Sequence, residues 1–226
     1  IIGDDVTNIS FFAFADCSQL TEVVIGNSVE TIGAFAFSEC VNLKSVVIPN
    51  SVKSIESMAF YGCTSLESIT MSSNIEHLGR NPFTDSGYYN NPEKWEDGVL
   101  YIGNCLVDTE YESLWGVESY TIKEGTRVIA AGAFMNSFAE SVIIPESVVE
   151  IGECAFRGTN IKTIEIPQGT KTICKAAFDF CHNLESIYIP ASVEVIEEDA
   201  FQGCTSLAQI IVDESNENFV GDHDGV

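Results

Sequence analysis

Residues 32–52 read IGAFAFSECVNLKSVVIPNSV, and near-copies of this stretch fill most of the 226-residue chain. The phenylalanine of the Ala-Phe pair recurs at Phe14, Phe37, Phe60 and Phe83, and again at Phe134, Phe156, Phe178 and Phe201. The steps are 22 or 23 residues, except for 51 residues between Phe83 and Phe134. The apolar residue ahead of the pair recurs at Ile9, Ile32, Ile55, Leu78, Ile129, Ile151, Ile173 and Ile196. A Leu-x-x-Val-x-Ile segment recurs in step, for example at Leu43-Val46-Ile48 and Leu184-Ile187-Ile189. Pro follows it at Pro49, Pro145, Pro167 and Pro190.

A fixed period in this range marks a stack of repeats. Val-x-Ile alternates with period two, the pattern of a short strand with one buried face. The following Pro lacks the N–H that a continued strand would need. Ser-Val-x-x-Ile is a second short apolar segment on the return path, and Gly-x-x-Ala-Phe-x-x-Cys reads as a tight turn or a single helical turn. No segment is long enough for a stable helix of its own. One coil cannot bury its apolar face alone, whereas stacked coils bury a continuous core. The sequence thus predicts one domain over 1–226, made of eight coils of 22–23 residues.

These repeats resemble the BspA-like leucine-rich repeat family, whose pattern IxxxAFxxCxxLxxVxIPxSVxx they follow. The resemblance implies a leucine-rich repeat solenoid, mostly β. This would be a curved right-handed superhelix with a parallel sheet on the concave face, short return strands and helical turns. It also implies a secreted or cell-surface bacterial protein with a role in adhesion or protein binding.

Charge excludes whole classes of partner. Thirty-four Asp and Glu against ten Lys and Arg give a formal net charge of −24. Nucleic acid requires a basic footprint, and anionic membrane surfaces require basic segments. A hydrophobic fraction of 45% is too high for disorder. No apolar run approaches the roughly 20 residues of a membrane span. The chain opens at Ile1 partway through a repeat, which reads as an internal fragment without its signal or anchor.

The long step places about 28 extra residues in one coil, in the stretch 84–116. An insertion of that length carries structure or function. Residues 99–107 read as a hairpin turning at Gly103-Asn104. Trp95, Trp115, Tyr88, Tyr89, Tyr101 and Tyr111 all lie in this stretch. The tryptophans read as cover for the repeat's flank, and Tyr88-Tyr89 as the better binding pair. Asp222-His-Asp-Gly-Val226 echoes Glu96-Asp-Gly-Val99, so the C-terminal stretch 214–226 reads as the start of a second hairpin, beginning at Asp224.

No reactive constellation stands out. Cys17, Cys40 and Cys63 fall 23 apart, as do Cys181 and Cys204, and Ser86, Ser137 and Thr159 stand near the same slot elsewhere. A slot that takes Cys, Ser or Thr calls for a small side chain that hydrogen-bonds backbone carbonyls. Mostly buried thiols are expected. There is no Cys-x-x-Cys and no His at ligand spacing, so neither a metal nor a cofactor is expected. His77, His182 and His223 read as surface residues, and the signal for a cation at Asp222-His223-Asp224 is weak. Neither a nucleophile elbow nor a phosphate-binding glycine loop is present, so no catalytic residue is named.

The repeat itself creates the best candidate surface. Residues between the buried strand positions form an outward column: Val24, Val47, Thr70, Thr121, Ile143, Glu165, Tyr188 and Ile211. Beside it run Glu22, Ser45, Ser68, Ser119, Ser141, Thr163, Ser186 and Gln209. The first column is unusually apolar for an exposed sheet, as interaction sites often are, although β-propensity alone also favours branched residues there. The sequence therefore reads as a non-enzymatic binding module for an extracellular or host protein, or a glycan. Capture would use the concave face, helped by Tyr88 and Tyr89 of the insertion. The alternative is a passive spacer within a larger surface protein, and an enzyme is the weakest reading.

Overall fold

The repeating phenylalanines build two columns of rings. In a computed structural model describing residues 1–219, Phe14, Phe37, Phe60 and Phe83 stack with centroids 5.2, 5.1 and 5.5 Å apart and planes within 11° of parallel. Phe134, Phe156, Phe178 and Phe201 repeat this at 5.0, 5.3 and 5.6 Å. The spacing follows that of neighbouring strands, about 4.8 Å, so each coil adds one ring to the column. The chain divides into two compact units, Ile1–Asp108 and Thr109–Val226. The division falls inside the inserted stretch 84–116.

Each unit is a mostly-β stack of parallel short strands with almost no helix. In the first, the two-residue strands Asn8–Ile9, Thr31–Ile32, Ser54–Ile55 and His77–Leu78 form one ladder, and Ser45–Val47 pairs with Ser68–Thr70. In the second, Val128–Ile129, Glu150–Ile151, Thr172–Ile173 and Val195–Ile196 form one ladder. Tyr120–Thr121, Ser141–Ile143, Thr163–Glu165, Ser186–Ile189 and Gln209–Val212 form the other. The strand expected around Val23–Ile25 does not form. Pro ends its strands as expected, and its carbonyl then closes a turn, with Val52 N donating to Pro49 O at 3.0 Å and Val193 N to Pro190 O at 3.2 Å.

The Gly-x-x-Ala-Phe-x-x-Cys segments are tight turns and not helical ones. Ala36 N donates to Gly33 O and Cys40 N to Phe37 O, and each turn carries a left-handed residue at its third position, Phe35 at φ 56° and Glu39 at φ 57°. That conformation costs a non-glycine residue about 1–3 kcal/mol. It frees the backbone to bond outward: Phe35, Phe37 and Glu39 donate N–H groups to Ser57, Ala59 and Tyr61 of the next coil. A right-handed helical turn would direct those donors along its own axis. Gly33 is required for a different reason, because a Cβ there would lie 2.6 Å from Ile9 O.

Within the first unit the insertion becomes a three-stranded meander. Asn91 accepts from Glu93 N and caps a 3-10 turn at Pro92–Lys94. Trp95–Glu96 then pairs antiparallel with Val99–Ile102, which neighbours Cys105–Thr109. The Gly103-Asn104 turn forms where expected. Gly103 adopts φ 60°, and a Cβ there would stand 2.9 Å from Met71 Cβ, while Asn104 Nδ2 donates to Ser73 O at 2.9 Å. The hairpin tip is thereby fastened to the preceding coil. The hairpin expected from Asp224, and the Asp222-His223-Asp224 group, lie outside the described residues.

Candidate functional site

Strand register turns the two outward series into true columns. In the first unit Ser45 faces Ser68 and Val47 faces Thr70. Val46 and Ile48 are buried while Val47 is 61% exposed, so alternation puts one apolar side chain outside for each inside. Val24 is exposed in the preceding coil. In the second unit Thr121 faces Ile143, Glu165 faces Tyr188, and Tyr188 faces Ile211. All five are exposed, Ile143 at 54%. Each unit thus carries its own strand-lined face, with Val24, Val47 and Thr70 on one, and Thr121, Ile143, Glu165, Tyr188 and Ile211 on the other. On these faces alternation breaks down in the strand Gln209–Val212, where Ile210 is exposed as well as Ile211; among the described residues no strand pairs with its far side.

Tyr188 is held upright at its outer end. Its hydroxyl donates to Asp213 Oδ2, and Ser215 donates to Asp213 Oδ1 from both its N–H and its hydroxyl. The Ser215 and Tyr188 donors hold the Asp213 carboxyl down at about 2. The same bond, with smaller help from desolvation, raises the Tyr188 phenol.

The cysteine slot does what its chemistry predicts. The Sγ atoms of Cys40, Cys63, Cys181 and Cys204 donate to the carbonyls of Phe14, Phe37, Phe156 and Phe178 at 3.0–3.1 Å. Ser86, Ser137 and Thr159 are buried in the corresponding places. All eight cysteines are thiols, with Cys17 exposed and Cys154 and Cys204 intermediate. Burial pushes Cys40 up to about 11 and Cys63 up to about 12. His77 lies 3.8 Å from Glu56, and His182 Nδ1 lies 3.4 Å from Thr205 Oγ1. Among the described residues no group of three or more His, Cys, Asp or Glu side chains is placed to hold a metal ion.

The inserted aromatics separate into two sets. Tyr89 does not stand free as a binding residue. Its hydroxyl donates to Asp108 Oδ2 at 2.7 Å, its carbonyl accepts from Trp95 Nε1 at 2.7 Å, and its ring meets Trp95 edge-on. Burial, with the Asp108 charge second, raises its phenol. It ties the two ends of the meander together. Tyr88 is half-buried, with the Lys94 ammonium 5.0 Å from its ring centre. Trp95 is structural, as expected. Trp115 is not the flank cover the sequence suggested: it is 68% exposed and lies against Phe138, which Tyr111 also contacts edge-on. The sequence could not reveal this, because Phe138 belongs to the next coil.

A model of the BspA type leucine rich repeat region matches residues 1–104 and 107–222, in six copies. The chain belongs to the BspA-type leucine-rich repeat family. Among solved structures, this BspA-type chain is similar to a leucine rich cell surface protein of Faecalibacterium prausnitzii A2-165. The two are 26% identical, over 98% of this chain and 74% of that one, with a TM-score of 0.47. It is similar in fold to the pneumococcal vaccine antigen PcpA, at 20% identity over 95% of this chain and 62% of the antigen, with a TM-score of 0.52. A leucine-rich repeat protein of Bacteroides ovatus ATCC 8483 is 22% identical, over 94% of this chain and 54% of that one, with a TM-score of 0.39. The chain therefore spans less than two thirds of the length of the latter two. No curated protein matches it. Among the described residues, no helix is long and apolar enough to cross a membrane.

Proposed function

We propose that this chain is a non-enzymatic binding module of a bacterial cell-surface protein, capturing an extracellular protein or glycan on its strand-lined faces. The observation that carries the reading is the column of exposed apolar side chains: Val24 and Val47 on one unit, and Ile143, Tyr188 and Ile211 on the other. A two-layer repeat needs buried residues on the inner positions only, so stability does not require these to be large and apolar. Apolar groups left in water on a rigid surface are what a partner covers with gain. The hydroxyl column Ser141, Thr163 and Ser186 beside them offers hydrogen bonds at the same spacing. Placement at the cell surface is part of the proposal and rests on the family. Tyr88 is retained as an auxiliary contact, whereas Tyr89 serves the meander.

The test is to measure binding to immobilised extracellular matrix proteins and glycans for the wild type and for Val47→Lys, Ile143→Lys and Tyr188→Lys. The proposal expects these variants to bind at least tenfold more weakly, with Val47→Lys and Ile143→Lys melting like the wild type. Unchanged binding with unchanged stability would remove the strand-lined face. A wild type that binds no member of the panel would favour the spacer.

A further inference from the structure

We propose that the cluster of Tyr111, Trp115 and Phe138 on the second unit is a docking site for a cationic peptide segment, a Lys- or Arg-bearing stretch of a protein partner. The cluster is built and not accidental. Thr109 Oγ1 donates to Ala133 O at 2.8 Å, and Leu114 is buried. Between these anchors the backbone folds tightly, with Ser113 N donating to Glu110 O and Trp115 N to Glu112 O, both at 3.1 Å. The burial of Leu114 leaves its neighbours outside. Tyr111 is 58% exposed and Trp115 is 68% exposed. Their rings stand 5.2 and 4.7 Å from that of Phe138, so one half-buried ring supports two exposed ones.

Charge selects the occupant. Residues 109–118 contain Glu110, Glu112 and Glu118, all exposed, and no Lys or Arg. The Lys162 ammonium, on which the charges of Glu118 and Glu185 act, is engaged by Glu140 at 2.5 Å. The rings thus stand in a field of carboxylates, on a chain of net charge −24. A ring face attracts a cation through its quadrupole, and guanidinium groups also stack on it. The carboxylates steer such a group in and repel anionic partners. The cluster does not depend on the strand-lined face, so either reading can fail alone.

The test uses a short labelled peptide of alternating Arg and Gly, with a peptide of alternating Glu and Gly and a neutral oligosaccharide as the other arms. Binding is followed by fluorescence polarisation at low and moderate salt. The wild type is expected to bind the Arg peptide and neither of the others. Trp115→Ala and Tyr111→Ala should each weaken binding severalfold, and together about tenfold or more, at unchanged net charge. Glu110→Gln with Glu112→Gln touches no ring and should weaken binding and flatten its salt dependence. Ile143→Ser with Tyr188→Ser should leave peptide binding unchanged. If the double aromatic variant binds like the wild type, only net charge is at work and the proposal fails. Preference for the oligosaccharide or the Glu peptide would overturn it equally.

Discussion

Replacing Phe37 with Ala removes one ring from the middle of a column, leaving the flanking rings of Phe14 and Phe60 without the partner now 5.2 and 5.1 Å away. Phe37 is fully buried, and losing its burial alone costs about 1.5–3 kcal/mol. The coils above and below are fixed by their own ladders, so the gap cannot close, and the residual cavity brings the total to about 3–5 kcal/mol. Phe14 provides the internal comparison, being only half-buried and, among the described residues, stacked on Phe37 alone. Phe14→Ala should cost about 1–1.5 kcal/mol. Urea melts followed by circular dichroism, at equal denaturant slope, give both numbers. A loss below about 1 kcal/mol for Phe37→Ala, or a larger loss at Phe14 than at Phe37, would refute the stacked-core reasoning.

Two further outcomes follow from the geometry. In the native protein a thiol reagent should modify Cys17 first, and Cys154 and Cys204 more slowly; Cys40, Cys63, Cys105, Cys174 and Cys181 should react only on unfolding. Eight thiols should titrate in denaturant, and a count of none or two would contradict this. Asp213, held at about 2 in the fold, has an unfolded value of about 3.9. Its hydrogen bonds therefore contribute stability that is present above the unfolded value and lost as pH falls through the folded one. Tyr188→Phe removes one donor and should raise the Asp213 value in an NMR titration; no movement would show that the bond is absent in solution.

The fold was legible because every coil repeats the same demands. The period in the Phe series fixed the stack, and alternation in Leu-x-x-Val-x-Ile separated Val46 from Val47, from which the outward columns follow. The Gly103-Asn104 pair, suited to a two-residue turn, located the hairpin tip. What stayed hidden depends on backbone conformation or on contacts between coils. Nothing in Phe35 or Glu39 announces a left-handed residue, because the bonds to Ser57 and Tyr61 that hold it there come from the next coil. The first strand of the meander was missed although Asp97-Gly98, at φ 51° and 75°, forms a turn of the type that dipeptide favours. Tyr89 and Trp115 both depart from their expected parts, Tyr89 being tied into the meander and Trp115 exposed. The binding of Tyr89 to Asp108 and the support of Trp115 by Phe138 join residues 19 and 23 positions apart, beyond any local pattern.

The register of the strand-lined face underlies both the fold and the proposed function, and one adjacent pair of substitutions tests it. Val142 is buried and Ile143 is exposed, so a lysine at each should behave oppositely in the same urea melt. Ile143→Lys should change stability by no more than about 0.5 kcal/mol. Val142→Lys buries an unpaired charge and should cost on the order of 4 kcal/mol or more. Equal losses, or the larger loss at Ile143, would contradict the register.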